Sequence, residues 1–184
     1  IAYRFLPPSA PLPRAFEQRR RAVTRMLVVS AGCSLVLAII PVSLLPARGP
    51  GRLTVDFLDI GQGDAILVTT PHGRQVLVDG GPSDLRLARQ LGAVMPHWDR
   101  SLDALILTHP EEDHLGGLPG MARRLHIARV YDSGLTNRSA TFTAFDDELP
   151  KRERLAAGDS LVIDGVTFEA VWPPADFASA DRND

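Results

Sequence analysis

Residues 26–45, with the sequence MLVVSAGCSLVLAIIPVSLL, form a run without a single charge, and this run most constrains what the chain can fold into. A helix needs about 20 apolar residues to cross the hydrocarbon core of a bilayer, which is the length of this run. We therefore predict a transmembrane helix over residues 26–45. A buried core helix and a cleaved signal peptide are the alternatives.

The flanks of the run predict its orientation. Arginines cluster between Arg14 and Arg25, whereas only Arg48 and Arg52 follow closely behind the run. Because the more basic flank stays in the cytoplasm, residues 1–25 are predicted to be a basic juxtamembrane segment and the chain after the run to lie on the outer face. Residues 46–52, rich in proline and glycine, are predicted to be a linker.

The pattern of residues 53–184 predicts an α/β domain. LTVDFLD, AILVTT and QVLVD are predicted to form an antiparallel meander in which Leu53, Val55 and Phe57 share one face. A helix over residues 85–95, capped by Asp84, and a second in LPGMARRLH alternate with the strands LDALILT and ARVYDS. The pair Asp164 and Gly165 predicts a closing hairpin. This order favours mixed sheets with helices packed outside.

Composition excludes some classes of function. The chain has 20 basic and 22 acidic residues, so its formal charge of −2 provides no global field that would attract nucleic acid. Cys33 is the only cysteine, which excludes a disulfide framework and a zinc cluster built on cysteines. Any polyanionic partner must therefore be bound locally.

The stretch LDALILTHPEEDHLGGLPG crowds histidines and carboxylates directly after a predicted buried strand. His109, Asp113 and His114 provide the nitrogen and oxygen donors that divalent metals such as Zn²⁺ or Mn²⁺ accept, and Glu111 and Glu112 add further oxygens. Ligands gather at the carboxyl ends of strands in α/β folds, so we predict a metal site here. The following helix is expected to begin only after Gly116 and Gly117. A solvated acidic loop is the alternative.

The loop DIGQGDA is the second candidate segment. Gly61 and Gly63 permit backbone conformations that other residues avoid, so the loop could aim the Asp64 carboxylate or backbone amides at the metal pocket. Ordinary turn chemistry is an equal alternative for Asp64 and the favoured one for Asp59.

The sequence THPEEDH resembles the H-x-H-x-D-H signature of the metallo-β-lactamase superfamily, and LVDGG, residues 77–81, resembles its first motif. Together with FLDIGQGDAILV, these motifs are similar to the C-terminal domain of the ComEC family of DNA-internalisation competence channels. The resemblance implies an α/β fold, the αββα sandwich of the superfamily. Residues 53–184 would be its first half, truncated at the C-terminal end and preceded by the transmembrane helix.

The resemblance also implies roles for individual residues. His109, Asp113 and His114 correspond to metal ligands, Asp113 also acting in catalysis, and Asp79 to a catalytic aspartate that orients the ligands. Glu111 stands where the signature has its second histidine and is an additional candidate ligand. A carboxylate there shifts the preference towards harder ions, so the expected divalent metal is Mn²⁺ or Zn²⁺, with Mg²⁺ as a further option.

The implied function is metal-dependent hydrolysis of nucleic-acid phosphodiesters in a DNA-uptake protein of the bacterial inner membrane, with this domain extracytoplasmic. Expected partners are single-stranded or incoming DNA, the membrane and other competence-machinery proteins. A non-catalytic module that guides DNA, or a membrane-tethered hydrolase of other esters or lactams, are the alternatives. Because the chain begins at Ile1 and holds no histidine after His126, we expect it to be part of a longer protein and catalytically silent alone.

Overall fold

The computed structural model describes residues 23–26 and 51–177 of the chain. The chain divides into two compact units, Ile1–Pro46 and Ala47–Asp184. In the first unit, residues 23–26 are helical, and the predicted transmembrane helix lies outside the described residues apart from Met26. Within the described part of the chain, no helix combines the length and apolar character needed to cross a membrane.

The second unit is built on a six-stranded mixed sheet with the order β1-β2-β3-β5-β7-β8. The first three strands form the predicted antiparallel meander, and β5, β7 and β8 then add in parallel. A two-stranded sheet pairs β4 with β6, and another pairs β9 with β10. The strands are β1 (Thr54–Phe57), β2 (Ile66–Thr69), β3 (Gln75–Val78), β4 (Ser101–Leu102), β5 (Ala104–Leu107), β6 (His126–Ile127), β7 (Val130–Asp132), β8 (Glu153–Arg154), β9 (Ser160–Ile163) and β10 (Val166–Glu169).

Four helices of this unit lie between its strands: α1 (Asp84–Val94), α2 (Glu112–Leu115), α3 (Leu118–Ala122) and α4 (Ala140–Glu148). The predicted cap of α1 was wrong by one residue. Ser83 is extended, and its hydroxyl accepts a hydrogen bond from the amide of Arg86, so Ser83 is the N-cap. Asp84 instead lies in the first turn, where a carboxylate interacts favourably with the helix dipole.

The helices cover one face of the large sheet, and the β9–β10 hairpin packs on the other. Leu87, Leu115 and Phe145 from α1, α2 and α4 are fully buried against Leu77 and Leu105 of the sheet. On the opposite face, a smaller core is formed by Val68, Val76, Ala104, Tyr131, Leu161 and Ile163. This layering of helices, sheet and hairpin confirms the predicted α/β fold class.

The apolar face of the first strand is exposed. Val55 and Phe57 do share one face of β1, but both are exposed, Phe57 by 77%. Both side chains are exposed because β1 is an edge strand of the sheet, whereas the smaller core lies over the central strands. Alternation therefore predicted the strand and its shared face, and the position of β1 in the sheet decides that this face is exposed.

The predicted hairpin at Asp164 and Gly165 is confirmed, and its turn is fastened to the turn between β2 and β3. The Asp164 carboxylate accepts hydrogen bonds from Thr70 Oγ1 at 2.6 Å, His72 N at 3.1 Å and the His72 ring at 2.8 Å. The bond from Thr70, together with those from His72, holds the pKa of Asp164 below its ordinary value of 3.8. The two hairpin turns are thereby joined by one ionised side chain.

This contact predicts an acid-sensitive part of the fold. Because the folded state lowers the pKa of Asp164, the carboxylate stabilises the domain above its ordinary pKa, and this contribution is lost as the pH falls through the folded pKa. We expect Asp164→Asn to unfold at a lower urea concentration than wild type at neutral pH, and the two to converge in acid. A stability difference that does not change with pH would contradict this prediction.

Candidate metal centre

The candidate site lies where β3 and β5 end side by side. These strands are parallel neighbours, with Val78 opposite Ile106, and the amide of Asp79 donates to the carbonyl of Ile106 at 2.9 Å. Asp79 therefore follows one strand directly, and Thr108 follows the other. The topology brings together two motifs that are about thirty residues apart in sequence, as expected at the carboxyl edge of a parallel sheet.

Asp79 forms the floor of the site and is 2% exposed. Its Oδ1 accepts a hydrogen bond from the amide of Thr108 at 2.8 Å, and its Oδ2 accepts from Thr108 Oγ1 at 2.7 Å and from His114 Nδ1 at 2.9 Å. Its backbone has a φ of 58°, a left-handed conformation that aspartate tolerates better than most residues. Asp79 thus contacts Thr108 and His114 from below, at the end of β3.

His114 lies on α2 with its side chain 13% exposed. Since the Asp79 carboxylate only accepts hydrogen bonds, His114 donates from Nδ1, and in the neutral imidazole its Nε2 then has the lone pair. That Nε2 is 3.9 Å from Asp113 Oδ2. The expectation that a helix begins only after Gly116 and Gly117 was wrong, because residues 112–115 already form a helical turn that contains Asp113 and His114.

His109 meets His114 at the centre of the site. The two ring centroids are 4.0 Å apart. Nδ1 of His109 contacts Thr108 Oγ1 at 2.9 Å, and its Nε2 is 3.7 Å from Glu111 Oε2. Each histidine therefore has its Nδ1 fastened and its Nε2 beside a carboxylate, at distances too long for a hydrogen bond.

The donor set suits a divalent metal, although the side chains do not already enclose one. Two imidazole nitrogens and the Asp113 and Glu111 carboxylates are ligands for borderline ions, and a hydrogen bond to the far ring nitrogen is the usual support of a ligating histidine. Across residues 23–26 and 51–177, no three histidine, cysteine, aspartate or glutamate side chains stand in a ready-made metal cluster. His109, Asp113, His114 and Glu111 remain predicted ligands.

Glu112 is directed away from this group. Thr141 on α4 donates to Glu112 Oε1 at 3.1 Å, so that carboxylate connects two helices. Of the three acidic residues in the THPEEDH stretch, Glu111 and Asp113 therefore lie beside the histidines, and Glu112 contacts α4.

The glycine loop predicted to border the site does contact it, through its backbone. Gly63 has a φ of 72° and packs so closely on Asp113 that a Cβ at position 63 would overlap the Asp113 carbonyl. Asp64 is exposed, and its carbonyl accepts a hydrogen bond from the amide of Gly81 at 2.9 Å. Gly61, with a φ of 88°, lies against the Arg86 side chain. The loop thus supports the wall of the site.

Gly63→Ala is expected to disturb the site far more than Gly51→Ala. The two glycines have φ values of 72° and 71°, but a Cβ at position 51 meets nothing within 4 Å. Both substitutions carry the cost of a left-handed alanine, roughly 1–2 kcal/mol, and Gly63→Ala adds a backbone overlap of about 1–3 kcal/mol. Urea denaturation measures the difference, and equal stabilities would show that the loop does not press on Asp113.

A cavity of about 1310 Å³ opens beside His109. Thr108, His109 and Glu111 line its polar side, and apolar residues of β5, β9 and β10, including Ile106, Leu161 and Phe168, line the rest. Asn137 closes another side, and its amide donates to the carbonyl of Pro110. A ligand in this cavity would reach His109 from the hairpin side.

Sequence reasoning missed Thr108 and Asn137. Thr108 could have been noticed, because a hydroxyl residue that directly precedes a candidate ligand at the end of a strand can form a hydrogen bond with that ligand. Asn137 carries no such signal, since its partner Pro110 lies 27 positions away and the contact depends on how β7 and its following loop pack.

Known proteins of several kinds are similar to this chain. Residues 58–176 match the family profile described as the metallo-beta-lactamase superfamily. ComE operon protein 3 of Bacillus subtilis is 26% identical over 185 aligned residues, which cover 89% of this chain and 23% of that protein. A hydroxyacylglutathione hydrolase of Xylella fastidiosa is 29% identical over 104 residues, covering 56% of this chain and 34% of that enzyme.

A metal-dependent hydrolase of Cupriavidus metallidurans is 33% identical over 85 residues, covering 44% of this chain and 26% of that protein. The chain therefore spans about a third or less of the length of these relatives. Among solved structures, the Rm3 metallo-beta-lactamase is similar with a TM-score of 0.42 and 23% identity, covering 60% of this chain and 45% of that one.

Proposed function

Because this chain belongs to the metallo-beta-lactamase superfamily, we propose that its folded domain is the hydrolase domain of a membrane DNA-uptake protein and that it cleaves nucleic-acid phosphodiesters. Membership of the superfamily implies a divalent metal cofactor. The observation that carries the proposal is the meeting of His109 and His114 over the buried carboxylate of Asp79, at the carboxyl edge of the sheet.

Four side chains would hold the metal in this proposal: His109 and His114 through Nε2, Asp113, and Glu111 as the additional ligand. When bound, a divalent ion supplies Lewis acidity towards water and towards the phosphoryl group. Asp79 orients His114 directly by accepting a hydrogen bond from its Nδ1, with 2.9 Å between Nδ1 and Oδ2. Since the set mixes nitrogen with oxygen donors, Mn²⁺ and Zn²⁺ are the proposed ions, with Mg²⁺ as a further option.

Support for DNA as the substrate comes from the motifs similar to the ComEC family and from the likeness to ComE operon protein 3 over 89% of the chain. In the same proposal, other competence proteins are partners, and the chain is anchored in the bacterial inner membrane with this domain outside. A reporter fused after Arg52 in the native-length protein tests the location. A cytoplasmic reporter would reject it.

Two other functions have specific observations in their favour. A module that guides DNA without cutting it is favoured by Glu111, which takes a position where the superfamily signature has a histidine. An esterase or thioesterase role is favoured by the 29% identity to hydroxyacylglutathione hydrolase. The three functions differ in which substrate, if any, is hydrolysed.

The deciding experiment supplies the native-length protein with Mn²⁺ or Zn²⁺ and measures hydrolysis of single-stranded DNA, duplex DNA and a thioester. The proposal expects metal-dependent cleavage of DNA that His114→Ala abolishes and Glu111→Ala reduces less. His97→Ala, in an exposed histidine away from the site, is the matched control and should leave cleavage unchanged. Metal binding without DNA cleavage would favour the guiding module, and thioester hydrolysis alone the esterase.

A further inference from the structure

Thr108 lies between Asp79 and His109, and its hydroxyl contacts both of them. Oγ1 is 2.7 Å from Asp79 Oδ2 and 2.9 Å from His109 Nδ1. The amide of Thr108 also donates to Asp79 Oδ1 at 2.8 Å, so the main chain and the side chain of this residue are held by the same carboxylate. The hydroxyl therefore has a defined orientation.

The position of the hydroxyl proton follows from these contacts. A threonine hydroxyl has one proton and two lone pairs, and an ionised carboxylate can only accept. Two oxygens 2.7 Å apart would repel each other without a proton between them, so the Thr108 hydroxyl donates to Asp79. The hydroxyl can then only accept from His109, which requires a proton on His109 Nδ1.

We propose that Thr108 is a positioning residue that couples Asp79 to His109 and holds that imidazole in its Nδ1–H tautomer. The lone pair of His109 is thereby placed on Nε2, the nitrogen that lies 3.7 Å from Glu111. His114 receives the same tautomer from Asp79 directly. The buried carboxylate of Asp79 thus decides which nitrogen is protonated in both rings. It acts on His114 by a direct hydrogen bond and on His109 through the Thr108 hydroxyl.

The tautomer of His109 determines which of its nitrogens can bind a metal. A ligating histidine must present a lone pair, and the hydrogen bond at its other nitrogen decides which nitrogen that is. Free neutral imidazole side chains favour the Nε2–H form, so without Thr108 the lone pair of His109 would move to Nδ1, away from Glu111. This consequence for metal binding rests on the proposed function, whereas the tautomer itself does not.

Nitrogen NMR of the metal-free chain of 184 residues, labelled with ¹⁵N-histidine and kept at a pH where the imidazoles are neutral, tests the proposal. A protonated ring nitrogen and one with a lone pair resonate far apart, and His109→Ala assigns the signals. We expect His109 to be the Nδ1–H form in wild type and in Thr108→Ser, which keeps the hydroxyl. Thr108→Val, which keeps the shape and removes the hydroxyl, should shift His109 towards Nε2–H.

His114 serves as the internal control, because its bond to Asp79 does not involve Thr108 and it should remain Nδ1–H throughout. An Nε2–H form of His109 in wild type, or an unchanged Nδ1–H form in folded Thr108→Val, would overturn the proposal. If Thr108→Val fails to fold, Thr108→Ala takes its place with the same expectation.

Calorimetry of the native-length protein with Zn²⁺ or Mn²⁺ separates this inference from the proposed function. Thr108→Val should bind the ion about 10- to 100-fold more weakly than wild type, as expected for the loss of a group that supports a ligand, and Thr108→Ser should bind nearly as tightly as wild type. If the tautomers are as expected but wild type binds neither ion, the proposed function fails and the coupling through Thr108 stands.

Discussion

Asp79→Asn is expected to lose most of the metal affinity of the site and to destabilise the domain. The substitution keeps the shape, and asparagine also tolerates the φ of 58° at this position, so backbone strain does not enter the comparison. What changes is that one of the two acceptor atoms becomes a donor.

Neither orientation of the new amide satisfies its neighbours. With its nitrogen at the Oδ1 position, the side chain would face the amide of Thr108, and with its nitrogen at the Oδ2 position it would face His114 Nδ1. A buried donor left without an acceptor costs about 1–3 kcal/mol. Metal affinity should fall about 10- to 100-fold, because His114 is then held in the wrong tautomer or orientation.

Urea denaturation and metal titration measure the two effects. Asp164→Asn is the matched control, since Asp164 is also an aspartate with a positive φ, 52°, but lies at the turn of the β9–β10 hairpin. It should lower stability and leave metal affinity unchanged. Undiminished metal affinity in Asp79→Asn would show that the buried carboxylate does not orient the ligands.

Arg152→Met is expected to destabilise the domain even more than Asp79→Asn does. The Arg152 side chain is 15% exposed and donates to Asp132 Oδ2, Asp146 Oδ1 and the carbonyl of Leu149, each at 2.7 Å. Its guanidinium also lies 5.2 Å from the ring centroid of Phe145. One side chain thus joins β7, α4 and the segment before β8.

The charges around Arg152 explain the size of the effect. Burial by itself would lower the pKa of Arg152, but its hydrogen bonds to Asp146 and Asp132 and their negative charges outweigh burial and raise that pKa. Removing the guanidinium leaves Asp132 buried without its counter-charge. Breaking a buried ion pair in this way costs about 3–5 kcal/mol, a large part of the roughly 5–15 kcal/mol that stabilises a typical domain.

Urea denaturation at neutral pH tests this expectation. Arg123→Met is the matched control, because Arg123 pairs with Glu148 at 3.1 Å but its side chain is 55% exposed. That loss should cost only about 0–1 kcal/mol. Combining Arg152→Met with Asp132→Asn should recover part of the stability, since no buried charge then lacks a partner. Equal effects of Arg152→Met and Arg123→Met would contradict the prediction.

The strands and helix set by short-range patterns could be predicted from the sequence. The meander, the hairpin at Asp164 and Gly165, and the helix over residues 84–94 depend on alternation, turn chemistry and helical spacing, which act over a few neighbouring residues. The location of the candidate site was equally accessible, because a polar cluster after an apolar strand must lie at the sheet edge. The motifs similar to a known family added the predicted role of Asp79.

Other elements of the domain were not accessible from local patterns. The helical turn at residues 112–115 lies among polar residues that also suit a loop, and it forms where the amides of His114 and Leu115 donate to the carbonyl of Glu111. The helix α4, residues 140–148, begins at Ser139, whose hydroxyl accepts from the amide of Phe142, and it buries Phe145. Its single fully buried residue gives little helical periodicity to detect.

The sequence by itself determined where strands and turns fall and which residue types crowd the end of β5. Only the tertiary structure decided which atoms meet. Thr108 couples Asp79 to His109, Gly63 presses on Asp113, and Phe57 stays exposed because β1 is an edge strand. Local propensities arise from torsions and hydrogen bonds between near neighbours, whereas these contacts join distant positions through the pairing of strands. Strand pairing is selected by the packing of the whole domain, so it is not encoded in any one segment.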